Sequence, residues 1–188
     1  MIITTNDLGK RFNREWIFRK LSWQFHAGVV YAVTGPNGSG KSTLLSVLSG
    51  HVPQTNGTIA YTSAKQQVVA VDDIYRHLSF AAPYLELIED FTVEEHLAFH
   101  FRLKPIRPGY SIPQILEVAY LENARNKLVY NLSSGMKQRL KLALSFYADS
   151  SILLLDEPAT NLDSKAFEWY GTELGKISPG TLVIIASN

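Results

Sequence analysis

The 188-residue chain contains no cysteine. Disulfides and thiolate metal sites are thereby excluded, and the composition is compatible with a reducing compartment. Long apolar runs are missing as well. Stretches such as 152–155 and 182–186 fall far short of the roughly 20 residues that a membrane-spanning helix needs. The N-terminus carries no apolar segment of the signal-peptide kind. No charge of one sign dominates: 18 basic against 17 acidic residues leave a net of +1, which makes no electrostatic case for a nucleic-acid partner. Internal repeats and low-complexity segments are also lacking. What is present is 46% hydrophobic residues, enough to bury one substantial core in a single domain with room for a lobe. The chain reads as a soluble protein, and any membrane crossing would fall to another chain.

The most informative stretch is Gly35-Pro36-Asn37-Gly38-Ser39-Gly40-Lys41-Ser42-Thr43, which fits G-x-x-x-x-G-K-[ST], the phosphate-cradling P-loop. The preceding run 29–33 is apolar and rich in valine, and reads as a buried strand. The run 42–48 is apolar at helical spacing, and Gly50 stands where a helix would stop. Glycines 35, 38 and 40 allow the loop to turn its N–H groups inward without Cβ clashes. The helix N-terminus adds partial positive charge. Lys41 is placed to reach the β- and γ-phosphates of a nucleoside triphosphate, and the Ser42 hydroxyl to ligate Mg²⁺.

Taken in order, residues 2–33 look like a small β region, with 21–25 alternating as a half-buried strand does. Phe12 and Trp16 are the aromatics available to stack on a base, though both are also ordinary core residues. Residues 58–61 and 78–82 are strand candidates. Thr92-Val93-Glu94-Glu95 forms a capping box that opens a helix through Leu103, and shorter helices are expected over 115–120 and 123–128. Residues 84–135 thus form an inserted helical subdomain, while 1–83 and 136–188 form a β-rich core. A helix follows residues 132–139, then a strand over 152–156, a helix over 164–174 and a strand over 182–186. Strands alternating with helices around a P-loop imply an α/β fold with a mainly parallel sheet, preceded by an antiparallel N-terminal region. The phosphate site should lie at the carboxyl ends of the parallel strands.

Four apolar residues followed by Asp156 make a Walker B pattern, in which a buried strand delivers a carboxylate beside the P-loop to hold Mg²⁺. Glu157, one residue on, points elsewhere, with the proposed role of general base or water-positioner. Ser133 offers a hydroxyl and Gly135 a close backbone approach at the start of the next helix, which Ser133 is also suited to cap.

The P-loop, then Leu132-Ser133-Ser134-Gly135-Met136-Lys137-Gln138-Arg139, then 153–163 as L-L-D-E-P-A-T-N-L-D after Leu153, together resemble the ATP-binding-cassette (ABC) family across nearly the whole chain. The resemblance implies ATP as the nucleotide and Mg²⁺ as the metal. It implies a signature loop, with Ser133 and Gly135, that closes over the ATP of a paired subunit in a head-to-tail dimer. Asp163 matches the D-loop that couples the two sites, and Phe12 falls where the family stacks adenine. The further implications are a transmembrane permease partner, a cytoplasmic location at the inner face of the membrane, and ATP hydrolysis that drives transport.

Three positions depart from the family pattern. Pro83 stands near the place of a glutamine, Asn188 occupies the place of a histidine that reaches the γ-phosphate, and Ser134 replaces a glycine. Asparagine can donate a hydrogen bond there but carries no charge. Binding is expected intact and hydrolysis slowed. Family members continue past the residue matching Asn188, which leaves a minimal subunit and a shortened chain as alternatives. Besides the transporter subunit, two other readings are an ATP-dependent dimerisation clamp with slow hydrolysis and a soluble cassette protein outside transport.

Overall fold

The structure is a computed structural model that describes all residues, 1–188. Its internal contacts divide the chain into two units. The first comprises Met1–Phe80, Ser150–Glu157 and Ser178–Asn188; the second comprises Ala81–Asp149 and Pro158–Ile177.

The first unit opens with a long antiparallel hairpin, β1 (Ile2–Phe12) and β2 (Glu15–His26), followed by β3 (Val30–Thr34) and helix α1 (Lys41–Leu48). Next come β4 (Asn56–Thr62), the two-residue β5 (Val68–Val69) and β6 (Leu78–Ala81), and later β7 (Ile152–Asp156) and β8 (Leu182–Ser187). One sheet runs β2-β1-β4-β5, with its named pairs antiparallel, as expected for the N-terminal region. The other runs β3-β8-β7-β6, with β8 parallel to both β3 and β7. Ile3, Leu8 and Tyr61 of the first sheet, Leu45 and Leu48 of α1, and Ile152, Leu154, Leu182 and Ile184 of the second close a single core. This core fixes α1, and with it the loop that precedes α1, against the parallel strands.

The strand before the P-loop departs from its sequence reading. β3 is buried on one face only: Tyr31 and Val33 pack against the core, while Val30 on the other face is 57% exposed. β7, flanked on both sides, is buried at all five positions. Helix α1 stops as expected: Gly50 takes φ +75° and donates to the Val47 carbonyl.

The second unit holds α2 (Val93–Leu103), α3 (Ile112–Val118), α4 (Ser134–Phe146) and α5 (Ser164–Gly175). The capping box at Thr92 is present in full: Thr92 Oγ1 accepts from the Glu95 N–H, and the Glu95 carboxylate accepts from the Thr92 N–H. α4 packs on α2 and on α5, with Phe146 edge-on to Trp169 at 6.0 Å. By contacts, α4 and α5 therefore group with the helices, although the sequence places residues from 136 onward in the core. The helix expected over 123–128 is not formed; a short 3₁₀ turn at Glu122–Ala124 overlaps its start and another at Val129–Asn131 follows it. The reason lies in the hydrogen bonding. The carbonyls of Arg125 and Lys127 accept from the N–H groups of Glu94 and Val93, which satisfies donors at the start of α2 that no helical partner reaches. Carbonyls used in this way are not free to build a helix of their own.

Candidate nucleotide site

The parallel register brings three strand ends together. Thr34 of β3 lies beside Ser187 of β8, and Asp156 of β7 lies beside Ala186. The P-loop leaves β3, Asp156 and Glu157 end β7, and Asn188 follows β8, so the expected residues converge at the carboxyl ends of the strands.

The loop's shape depends on its glycines. Gly40, immediately before α1, takes φ +95°, and a Cβ there would stand 2.5 Å from Ile17 Cγ2. β2 thus leans against the loop at the start of the helix, and only glycine fits. Gly35 and Gly38 also lie at positive φ, +153° and +81°. Ser39 N–H donates to the Pro36 carbonyl to close the turn. Asn37 lies within this turn, and Ser42 and Thr43 open α1, with Ser42 exposed.

Lys41 is the electrostatic centre. Its buried ammonium donates to the Gly35 carbonyl at 2.7 Å, to the Pro36 carbonyl at 3.3 Å and to Asn188 Oδ1 at 2.7 Å. Glu157 Oε1 lies 3.7 Å away, an ion pair too long to be a hydrogen bond. Glu157 itself adopts φ +44°, and its N–H is tied to the Ala186 carbonyl. The left-handed backbone turns its side chain away from the line of β7 and toward the lysine. Asn188 and Lys41 meet across 147 positions of sequence. With its oxygen on the lysine, the asparagine amide keeps its N–H donors for another acceptor.

Asp156 is 1% exposed, and neither of its carboxylate oxygens has a hydrogen-bond partner. A buried carboxylate without a partner is costly. A hard divalent cation, directly or through water, is the kind of group that satisfies it. The residues present therefore fit Mg²⁺, with Asp156 and Ser42 as the side chains to hold it.

Phe12 ends β1 and is 47% exposed, with the Lys10 ammonium 4.7 Å from its ring centroid. Trp16 lies across Gly9, where a Cβ would come 3.0 Å from its ring, and has the Arg11 guanidinium 5.5 Å away. The contacts thus group Lys10 with Phe12, and Gly9 and Arg11 with Trp16. Lys10 was not singled out from sequence. The signal available was its spacing, two residues before the aromatic.

In the second unit, Ser133 caps α4: its hydroxyl accepts from the Met136 N–H at 3.3 Å. Ser134 is the first helical residue. A Cβ on Gly135 would stand 3.0 Å from the Asn161 carbonyl oxygen, so the glycine admits the 158–163 segment at close range. Gln138 Nε2 donates to the Pro158 carbonyl in the same region. Asp163 caps α5 by accepting from the Ala166 N–H at 2.8 Å. Pro83 offers only its carbonyl, which accepts from the Lys141 ammonium at 2.6 Å.

A protein-family model described as ABC transporter matches residues 18–160. The ATP-binding cassette sub-family A member 2 of Rattus norvegicus is 30% identical over the whole of this chain, which spans 8% of that protein. The Nod factor export ATP-binding protein I of Rhizobium johnstonii is 34% identical over 85% of this chain and 52% of its own length. The chain thus spans about half, or less, of the curated relatives it matches. In fold it superposes on a solved dimeric bacterial ABC transporter cassette with a TM-score of 0.81 at 22% identity, over 98% of this chain and 87% of that one. The P-loop with its buried lysine, the partnerless carboxylate ending β7 and the match over residues 18–160 lead to one assignment: the chain belongs to the ABC transporter family.

Proposed function

We propose that this chain is the ATP-binding and ATP-hydrolysing subunit of a membrane transporter, paired with a second such subunit and acting on a separate transmembrane permease. The observation that carries the reading is Lys41, whose ammonium is held by the Gly35 carbonyl and Asn188 with the Glu157 carboxylate 3.7 Å away. The loop N–H groups and the N-terminus of α1 take the β- and γ-phosphates. Lys41 exchanges its carbonyl contacts for phosphate oxygens. Bound Mg²⁺ supplies charge neutralisation on the triphosphate. Glu157 accepts the proton of the attacking water as the water oxygen bonds to the γ-phosphorus and the bond to the ADP oxygen breaks. The Asn188 amide donates to the γ-phosphate, and Phe12 stacks on the adenine. Ser133 and Gly135, at the amino end of α4, complete the site of the paired subunit. That a similar solved cassette is dimeric supports the pairing of two subunits.

A second reading, an ATP-driven clamp that hydrolyses slowly, is favoured by one observation. Pro83 brings no side-chain donor or acceptor, and its carbonyl is engaged by Lys141. Steady-state ATPase assays on the parent and on Glu157→Gln, with light scattering in ATP, test both readings. Turnover abolished in Glu157→Gln, with an ATP-held dimer, supports the hydrolytic subunit. Turnover in the parent no greater than in Glu157→Gln leaves the clamp. No mass increase with ATP in either protein refutes the paired assembly.

A further inference from the structure

Lys10 has no place in the chemistry described above, yet it is one of the few buried charged side chains outside the phosphate site, at 8% exposure. Two contacts hold it. Its ammonium donates to the Pro53 carbonyl at 2.8 Å, anchoring it to the loop before β4. The same ammonium lies 4.7 Å from the centroid of the Phe12 ring, within cation–π range. Phe12 itself remains 47% exposed. One face of the ring is thus covered by a fixed cation while the side chain stays open to solvent.

We propose that Lys10 is a positioning residue for nucleotide recognition, fixing the Phe12 ring as a one-sided platform for a purine base. This rests on the reading of Phe12 as the adenine-stacking residue. Two physical effects follow from the geometry. A phenyl ring at the end of a strand otherwise samples several rotamers and loses that freedom when a base stacks on it; the ammonium holds it beforehand. A cation on one face also draws π-density toward itself, which leaves the opposite face less electron-rich and a better partner for an electron-rich purine. Because the ammonium is tied to Pro53, its position does not depend on the nucleotide. Trp16 carries the guanidinium groups of Arg11 and Arg19 over its ring, with no buried ammonium fixed beside it.

The test separates the charge from the hydrogen bond and the base from the phosphates. Lys10→Gln keeps a donor for the Pro53 carbonyl and removes the charge, while Lys10→Arg keeps both. Affinities for ATP and for inorganic tripolyphosphate are measured by calorimetry in each variant, alone and combined with Phe12→Leu. Lys10→Gln is expected to weaken ATP binding about threefold, the scale of an exposed cation–π contact, to leave tripolyphosphate unchanged, and to have no further effect when residue 12 is leucine. Lys10→Arg should bind ATP as the parent does. Unchanged ATP affinity in Lys10→Gln, an equal loss for tripolyphosphate, or the same loss with leucine at 12 overturns the proposal. If Phe12→Leu itself leaves ATP affinity unchanged, the platform reading of Phe12 falls first and Lys10 with it. That outcome is distinguishable from a failure of Lys10 alone.

Discussion

Asp156 offers the sharpest test, because its fold and its function pull in opposite directions. The carboxylate is 1% exposed and neither oxygen is hydrogen-bonded, while the Lys41 ammonium pairs with Glu157. A buried charged group without a partner costs about 1–3 kcal/mol or more. Asp156→Asn keeps the shape and removes the charge, so the nucleotide-free protein should gain about 1–3 kcal/mol in unfolding free energy. For a chain of this size each kcal/mol raises Tm by about 2–4 °C. Urea unfolding and scanning calorimetry without nucleotide or metal measure this, and titration with ATP and Mg²⁺ should show weaker binding in the same variant. Glu157→Gln is the contrast: losing its carboxylate takes the ion pair at 3.7 Å from the buried Lys41 ammonium, so this variant should gain no stability. An Asp156→Asn protein no more stable than the parent would show that the carboxylate is satisfied in solution, and the inference of a metal ligand from its lack of partners would fail.

Lys41→Ala should weaken ATP binding by about 1.5–3 kcal/mol, the range for a charge-assisted hydrogen bond, and unchanged affinity by calorimetry would count against the site. Asn188→His should raise the turnover number with little change in ATP affinity, since a charged donor acts mainly on the transition state; Asn188→His and Asn188→Ala both matching the parent in ATPase assays would remove Asn188 from the mechanism. Gly40→Ala should destabilise the fold by about 1–3 kcal/mol, because φ +95° and the contact with Ile17 both oppose a Cβ; a thermal midpoint equal to the parent's would refute this. The pKa of His100 is pushed down to about 4 by burial, with Lys104 and His96 adding repulsion. The native imidazole is therefore neutral while the unfolded one takes a proton below about pH 6.5, so stability is full above that pH and falls as pH drops toward 4. His100 contributes at most about 1.4 kcal/mol per pH unit to the slope, and His96, also lowered by burial, adds to it. His100→Leu should flatten it, and an unchanged slope of urea midpoint against pH would exclude His100 as the cause.

Much of this protein is legible in one dimension because its determinants are local. The glycines of the P-loop, the Thr92–Glu95 capping box and the Gly50 stop act within four or five residues, and each formed where the sequence places it. The apolar run of β7 ending in Asp156 and Glu157 was readable for the same reason. What failed was whatever depends on a neighbour's identity. A valine-rich run reads as buried in any context, yet only the Tyr31 and Val33 face of β3 meets the core and the Val30 face stays open. Residues 123–128 carry a helical pattern, yet their carbonyls serve the first turn of α2.

The sequence by itself determined the P-loop motif, its lysine and the two acids, because motif spacing and strand length deliver them to strand ends in any parallel sheet. Only the tertiary structure decided what those residues touch. The approach of Asn188 to Lys41 across 147 positions, the turn of Glu157 toward the same ammonium, the seat of Lys10 under Phe12 and the packing of Ile17 on Gly40 all come from register and sheet order. These are long-range quantities, set by the joint packing of both sheets and α1, and no local stretch of sequence encodes them.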